Sequence, residues 1–262
     1  MKDTYVDEME ICSEFEEGIV KQEFQVFYQP VVDARTGKIV SAEALVRWLH
    51  EQKGWISPGQ FIPALEKGGY ISQLDRYMIE KVTGCLNQRR TEEKRFVPVS
   101  VNLSWMDFYD ENMLEWIVRG LKKTNQNEQK IRFEITETSL AAIGENHTRM
   151  LTHLKENGAE ILLDDFGSGY SSFGMLQDYD SDILKMDISF VRNIGVNKKS
   201  ESILRAIIDM AHQLEIRLVA EGAETEEQVA FLRENGCDYI QGYYYYKPMP
   251  EKEFLQLLDE GK

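Results

Sequence analysis

The chain has 262 residues, and 30 Lys+Arg stand against 45 Asp+Glu, a formal net charge of −15. Hydrophobic residues make up 42% and aromatic residues 11%, which suits a sizeable buried core and not a solvated coil. So acidic a chain is a poor match for polymeric nucleic acid or an anionic lipid surface, and neither is expected as a partner. A small anionic ligand stays open, provided cations neutralise its site.

Cys12, Cys85 and Cys237 are odd in number and lack CxxC spacing, so they read as free thiols in a reducing compartment. The N-terminal stretch MKDTYVDEMEICSEFEEG is acidic and has no apolar centre, unlike a signal peptide. No apolar run approaches membrane-spanning length. A cytoplasmic chain with no membrane contact is the expectation.

In chain order, a helix is expected over 7–21 and a β-hairpin over 25–33 and 38–46, turning at Thr36-Gly37. Ser57 and Pro58 open a helix that stops at Gly68-Gly69, and another runs from 72 to 90. Strands follow at 97–103, 130–136, 160–164, 183–186, 216–220 and 239–240. Helices are expected between them at 112–123, 145–157, 170–176, 200–214 and 225–233, with a last one over 250–258. In the 200–214 helix, Ile203, Leu204, Ile207, Ile208 and Ala211 form the apolar stripe. Thr225 with Gln228 is a capping-box pattern.

Alternation of short strands with helices indicates a parallel sheet, and about eight strands in a chain of this length match a (β/α)8 barrel. The opening hairpin is irregular for that fold, because parallel neighbours need a crossover between them. The fold class is therefore α/β, a modified TIM barrel with one antiparallel strand. A doubly wound open sheet is the alternative, but no Gly-rich phosphate loop supports it.

Polar residues collect toward the carboxyl ends of these strands: Glu43, Asn102, Glu134, Asp164 with Asp165, Lys185 with Asp187, Glu221 and Gln241. In a barrel those ends share the face where active sites are built. A lone carboxylate there is usually a helix cap or a surface ion pair. Six converging carboxylates would repel one another without cations. Asn and carboxylate oxygens without His or Cys suit Mg²⁺ or Mn²⁺. The adjacent Asp164-Asp165 pair can bridge two such ions, an arrangement suited to phosphodiester hydrolysis. The four histidines have no mutual ligand spacing.

EALVRW at 43–48, YQPVVD at 28–33, VNLS at 101–104 and EITET at 134–138 resemble signatures of the EAL family of cyclic di-GMP phosphodiesterases. DDFGSGYSS at 164–172, LKMD at 184–187, VAEGAET at 219–225 and QGYYYYKPMP at 241–250 continue the resemblance in family order, over roughly 12–258. The departures are small: Ala223 where Val is common, Met186 where Ile is common, and variation at Tyr245-Tyr246. The resemblance implies one EAL-type phosphodiesterase domain over 1–262. It implies hydrolysis of cyclic di-GMP to linear pGpG with two Mg²⁺ or Mn²⁺ ions.

Residue by residue, it implies that Glu43, Asn102, Glu134 and Asp164 hold one ion. Asp164, Asp165 and Glu221 hold the other. Lys185 holds and helps activate the attacking water, with Glu221 assisting as a base. Gln29, Arg47, Asp187 and Gln241 contact substrate, and Glu137 orders the loop after Asp165. That loop, with Gly167 and Gly169, implies a homodimer interface. The leading alternative is a catalytically silent cyclic di-GMP receptor module. A barrel glycosidase needs only two acids and leaves Asn102, the Asp pair and Lys185 without a role.

Overall fold

A computed structural model describes residues 6–124, 131–143, 146–167, 176 and 181–261. Its strands are β1 (Phe24–Asp33), β2 (Ile39–His50), β3 (Gly54–Ile56), β4 (Val99–Asn102), β5 (Ile131–Thr136), β6 (Glu160–Phe166), β7 (Ile183–Met186), β8 (Arg217–Glu221), β9 (Tyr239–Gln241) and β10 (Met249–Pro250). Strands β1, β2 and β4–β9 form a closed barrel, because β1 pairs with both β2 and β9. Only β1 runs antiparallel to its barrel neighbours; β2 and β4–β9 are mutually parallel. β3 and β10 are short appendages on β2 and β1.

The helices are α1 (Glu8–Val20), α2 (Pro58–Gly68), α3 (Ile71–Thr91), α4 (Glu111–Thr124), α5 (Glu137–Ile143), α6 (Asn146–Glu156), α7 (Ile188–Arg192), α8 (Lys198–Gln213), α9 (Glu226–Glu234) and α10 (Glu251–Asp259). Their ends follow local chemistry. Asp7 caps α1, and Gly69 closes α2 in the left-handed region at φ 77°. Thr225 and Gln228 form the expected capping box on α9. In the β1–β2 turn, Asp33 Oδ1 accepts bonds from the Thr36 N–H at 2.6 Å and hydroxyl at 2.8 Å. Among the described residues, no helix is long and apolar enough to cross a membrane.

Sequence periodicity overlooks β3, β10, α5, α7 and a 3-10 turn over Trp105–Tyr109, each too short to carry a readable period. On α8, Leu204, Ile207, Ile208 and Ala211 are buried, but Ile203 is 44% exposed. One residue is a 100° turn, which carries Ile203 off the stripe centred on the other four. Of the helix expected over 170–176, only Leu176 is described. Gly169 and residues 168 and 170–172 of the expected interface loop lie outside the described residues.

The main core lies between the barrel wall and its helices, with Tyr28, Phe133, Leu184, Ile208 and Phe254 fully buried. A second core sits under α1 and α2, where Phe24 stacks on Trp48 at 4.6 Å and Phe61 meets Trp48 edge-on. Trp48 Nε1 donates to the buried Glu23 carboxylate at 2.9 Å. Inside the barrel, Val31, Leu162, Ile183, Val219 and Tyr239 form a small apolar cluster. Each lies two residues from a polar residue on its own strand: Gln29, Asp164, Lys185, Glu221 and Gln241. A period of two keeps both on one face. A polar tier therefore stands on an apolar floor, and the barrel is packed and not a pore.

Candidate active site

Strand register builds the polar tier. Gln29 is the partner of Glu43, Asn102 of Glu134, Thr136 of Asp164 and Glu221 of Gln241. Glu43 lies mid-way along β2, yet the parallel pairing of β2 with β4 ends at Ala44. Beyond that point β2 leaves the barrel as a long hairpin arm. Glu43 is thus at the carboxyl end of the barrel part of its strand.

The Lys185 ammonium occupies the centre and is 2% exposed. Glu134 lies 2.6 Å from it, Glu221 2.7 Å, Asp164 3.2 Å and Glu43 3.3 Å. One cation against four carboxylates leaves excess negative charge in a nearly dry site, and the acid groups respond accordingly. Burial would lower the affinity of Lys185 for its proton, but the charges of Asp164, Glu134, Glu221 and Glu43 hold its pKa well above the usual value. Burial, then the Glu43 charge, push Glu134 well above the carboxylate range. Burial raises Glu221 to about 8, with Asp164 and Glu43 adding to it against Lys185. Partial desolvation, then the Asp164 charge, raise Asp165. Glu43 moves the other way: burial opposes its ionisation, but Lys185 and the donors of Gln241 and Asn102 outweigh it.

Gln241 spends its amide group on neighbours: Nε2 donates to Glu43 at 2.6 Å and to Gln29 Oε1 at 3.2 Å. Gln29 Nε2 in turn donates to the Tyr246 carbonyl at 3.2 Å. Both glutamines, expected to touch substrate, thus form a relay ending on the Glu43 carboxylate. Asn102 Nδ2 lies 3.5 Å from the other Glu43 oxygen. Near the end of β6, Asp165 adopts the left-handed region at φ 56°, unusual for a residue with a Cβ, and its N–H donates to Asp164 at 2.9 Å. Asp164 is buried while its neighbour Asp165 is exposed. Glu137, first residue of α5, accepts the Gly167 N–H at 3.2 Å. Asp187 caps α7 by accepting the Ser189 N–H at 2.9 Å. Arg47 donates to the Val46 carbonyl at 2.8 Å and lies 5.8 Å from the Phe27 ring centre.

The donor set fits a hard divalent cation. Every candidate ligand atom is an oxygen, and Glu134 Oε1 is buried without a hydrogen-bond partner. Among the described residues, no three carboxylate, His or Cys groups are already spaced to hold a metal ion. The oxygens close on the ammonium instead.

Residues 13–248 match the family model described as the EAL domain. The chain belongs to the EAL domain family. This EAL domain is 34% identical over 232 residues to the probable cyclic di-GMP phosphodiesterase PdeG of Escherichia coli (strain K12), covering 88% of this chain and 46% of PdeG. It is 32% identical over 252 residues to the cyclic di-GMP phosphodiesterase NbdA of Pseudomonas aeruginosa, covering 95% of this chain and 32% of NbdA. The chain thus spans less than half the length of these curated relatives. Among solved structures, the PaMucR phosphodiesterase in complex with c-di-GMP has a TM-score of 0.85 at 30% identity, over 93% of this chain and 99% of that one. The EAL domain protein from Listeria monocytogenes EGD-e gives 0.77 at 30% identity, over 95% of this chain and 97% of that one.

Beside the polar tier of this EAL domain lies a cavity of about 310 Å³, reaching Arg47, Asp75, Asn102, Ser104, Asp164 and Asp165. Sequence reading missed Asp75. Its carboxylate accepts the Ser104 N–H at 3.1 Å, as Asp107 does at 3.0 Å. Burial, then the neighbouring Asp107 charge, push Asp75 well above the carboxylate range. The signal was available: an aspartate inside the buried Leu74–Met78 stripe of α3 is out of place unless it has a partner. Of the Tyr243–Tyr246 run, Tyr243 and Tyr244 are exposed, while Tyr245 and Tyr246 pack against the core.

Proposed function

We propose that this EAL domain is a divalent-metal-dependent phosphodiesterase that opens one phosphodiester of cyclic di-GMP to give linear pGpG. The observation that carries the proposal is the convergence of four carboxylates from four strands on one buried lysine, beside an asparagine, within the EAL family match. Bound Mg²⁺ or Mn²⁺ would supply Lewis-acid polarisation of the phosphoryl oxygens and an activated water. Glu43, Asn102, Glu134 and Asp164 are the residues to hold one ion, and Asp164, Asp165 and Glu221 the other. With Lys185 and Arg47, two dications would turn an acidic mouth into one receptive to a dianion.

Lys185 has only donors, so it holds the attacking water by its oxygen. Glu221 is the most open of the four carboxylates, with 21% of its side chain exposed, and is placed to take the proton that water loses. Water adds to phosphorus, the P–O3′ bond breaks, and the departing oxygen takes up a proton, leaving a 5′-phosphate on pGpG. Arg47 offers a charge-assisted donor to a phosphate at the cavity mouth. Asp187 borders the same mouth as a substrate contact, while Gln29 and Gln241 hold Glu43 in place. Glu137 orders the segment after Asp165, and a homodimer forms through that segment. Residues 1–262 act as one unit in the cytoplasm, where three free thiols are at home.

Incubation with cyclic di-GMP and Mg²⁺ or Mn²⁺, followed by chromatography of the nucleotides, tests the reading. pGpG is expected from the wild type, and none from Glu43→Ala. Retained nucleotide binding with no pGpG under any divalent cation would refute catalysis and leave a receptor module. Light scattering checks the dimer.

A further inference from the structure

Helix α7 has only five residues, and the chemistry assigns it nothing beyond its Asp187 cap. It nevertheless touches the loops that follow both strands proposed to carry the second ion. After β6, Gly167 adopts φ 91° with its open face against Phe190; a Cβ there would come within 2.6 Å of Phe190 Cζ. After β8, Gly222 adopts φ 73° with its open face filled by Ile188, which a Cβ would overlap. Both glycines are therefore required twice, for their backbone conformation and for the side chain packed on them.

Hydrogen bonds fasten the same helix to the same loops. The Asp187 N–H donates to the Phe166 carbonyl at 3.4 Å. Gln228 Nε2 donates to the Val191 carbonyl at 3.2 Å, while its Oε1 accepts the N–H groups of Glu224 at 2.7 Å and Thr225 at 3.0 Å. Val191 is fully buried, which anchors the helix in the core. Asp165 is two residues before Gly167, and Glu221 directly precedes Gly222.

We infer that α7 is a spacer: Phe190 and Ile188 are positioning residues that set the distance between the Asp164-Asp165 pair and Glu221, and so the second cation site. The inference rests on the proposed two-metal reading. Apart from the shared Asp164, the first site draws Glu43, Asn102 and Glu134 from β2, β4 and β5, none of which α7 touches through these contacts. Loosening α7 therefore weakens the second ion far more than the first, which keeps three ligands on strands that α7 does not touch. A residue that only stabilised the fold would weaken both alike or neither.

The test is calorimetric titration of the full chain with Mn²⁺, for wild type, Phe190→Ala, Phe190→Leu and Ile188→Ala, with folding checked by circular dichroism. Two ions are expected on the wild type. In Phe190→Ala and Ile188→Ala, one ion should bind about 10–100-fold more weakly, the range for lost ligand support, and the other should change far less. Turnover of cyclic di-GMP should need correspondingly more Mn²⁺, with KM for the nucleotide unchanged. Phe190→Leu, which refills the space beside Gly167, should recover most of the loss. Should Phe190→Ala not fold, Ile188→Ala and Phe190→Leu carry the comparison. Folded variants that bind both ions as the wild type does, or that weaken both equally, overturn the spacer. A wild type that binds no Mn²⁺ overturns the two-metal reading and the spacer with it.

Discussion

Replacing Lys185 by Met isolates the charge at the centre of the barrel. Methionine is nearly as long and leaves little cavity, so lost packing is small. What disappears is the ammonium that Glu43, Glu134, Asp164 and Glu221 share, of which Glu134 is 1% exposed. Breaking a buried ion pair by removing one partner costs about 3–5 kcal/mol. At about 2–4 °C per kcal/mol, that is a fall in melting temperature of roughly 6–20 °C.

The pH dependence has a definite sign. Without the lysine, Glu134 and Glu221 sit further above their ordinary value near 4.5, so folding favours their protonated form. The cost is absent below that value and grows as pH rises through and above it. In EDTA, Lys185→Met should therefore lie close to the wild type at pH 4.5 and far below it at pH 8. Adding Mg²⁺ at about 100 times its dissociation constant should return about 2.7 kcal/mol, because a cation replaces the missing charge. Thermal melts at the two pH values, with and without Mg²⁺, are the assay. A variant melting within about 2 °C of the wild type at pH 8 in EDTA would refute the electrostatic account, since 2 °C is at most about 1 kcal/mol here.

Other outcomes follow from the same geometry. Gln241→Leu removes the 2.6 Å bond that orients Glu43, and metal affinity should drop by about 10–100-fold, read by Mn²⁺ titration; a rise in KM for nucleotide with metal affinity intact would make Gln241 a substrate contact instead. Trp48→Ala empties the middle of the second core and leaves Glu23 without its indole donor, so urea unfolding should show a loss of about 3–5 kcal/mol. Asp75→Asn supplies at every pH the neutral form that burial and Asp107 already favour. Because a raised carboxyl loses stability for the fold as pH climbs above its ordinary 3.8, the variant should gain on the wild type between pH 5.5 and pH 8.5 in urea titrations.

Much of the fold was legible because its signals are local. The hairpin that makes β1 antiparallel shows in Thr36-Gly37 between two apolar runs, and the α9 start in Thr225 and Gln228. The eight barrel strands were all found, since each carries β-branched or aromatic residues between turns or helices. The candidate site was legible as a set of residue types at strand ends. It was not legible as geometry: Lys185 meets Glu43 across 142 positions and Gln241 meets Glu43 across 198, which no window on the chain can see. α5 and α7 escaped for the opposite reason, being too short to show a period, and their importance lies in what they touch. Asp75 was hidden by its company, a charged residue beside the buried Leu74, Met78 and Ile79.

Residue chemistry alone determined that this is an α/β barrel with an acidic, oxygen-rich mouth, because composition, strand period and turn residues act over a few positions. Closure of the barrel decided the rest. It placed an apolar floor under the polar tier and put one ammonium among four carboxylates. It turned Gln29 and Gln241 toward Glu43, and wedged α7 between the two loops beside Asp165 and Glu221. Those are distances between residues far apart in the chain, and only packing in three dimensions sets them.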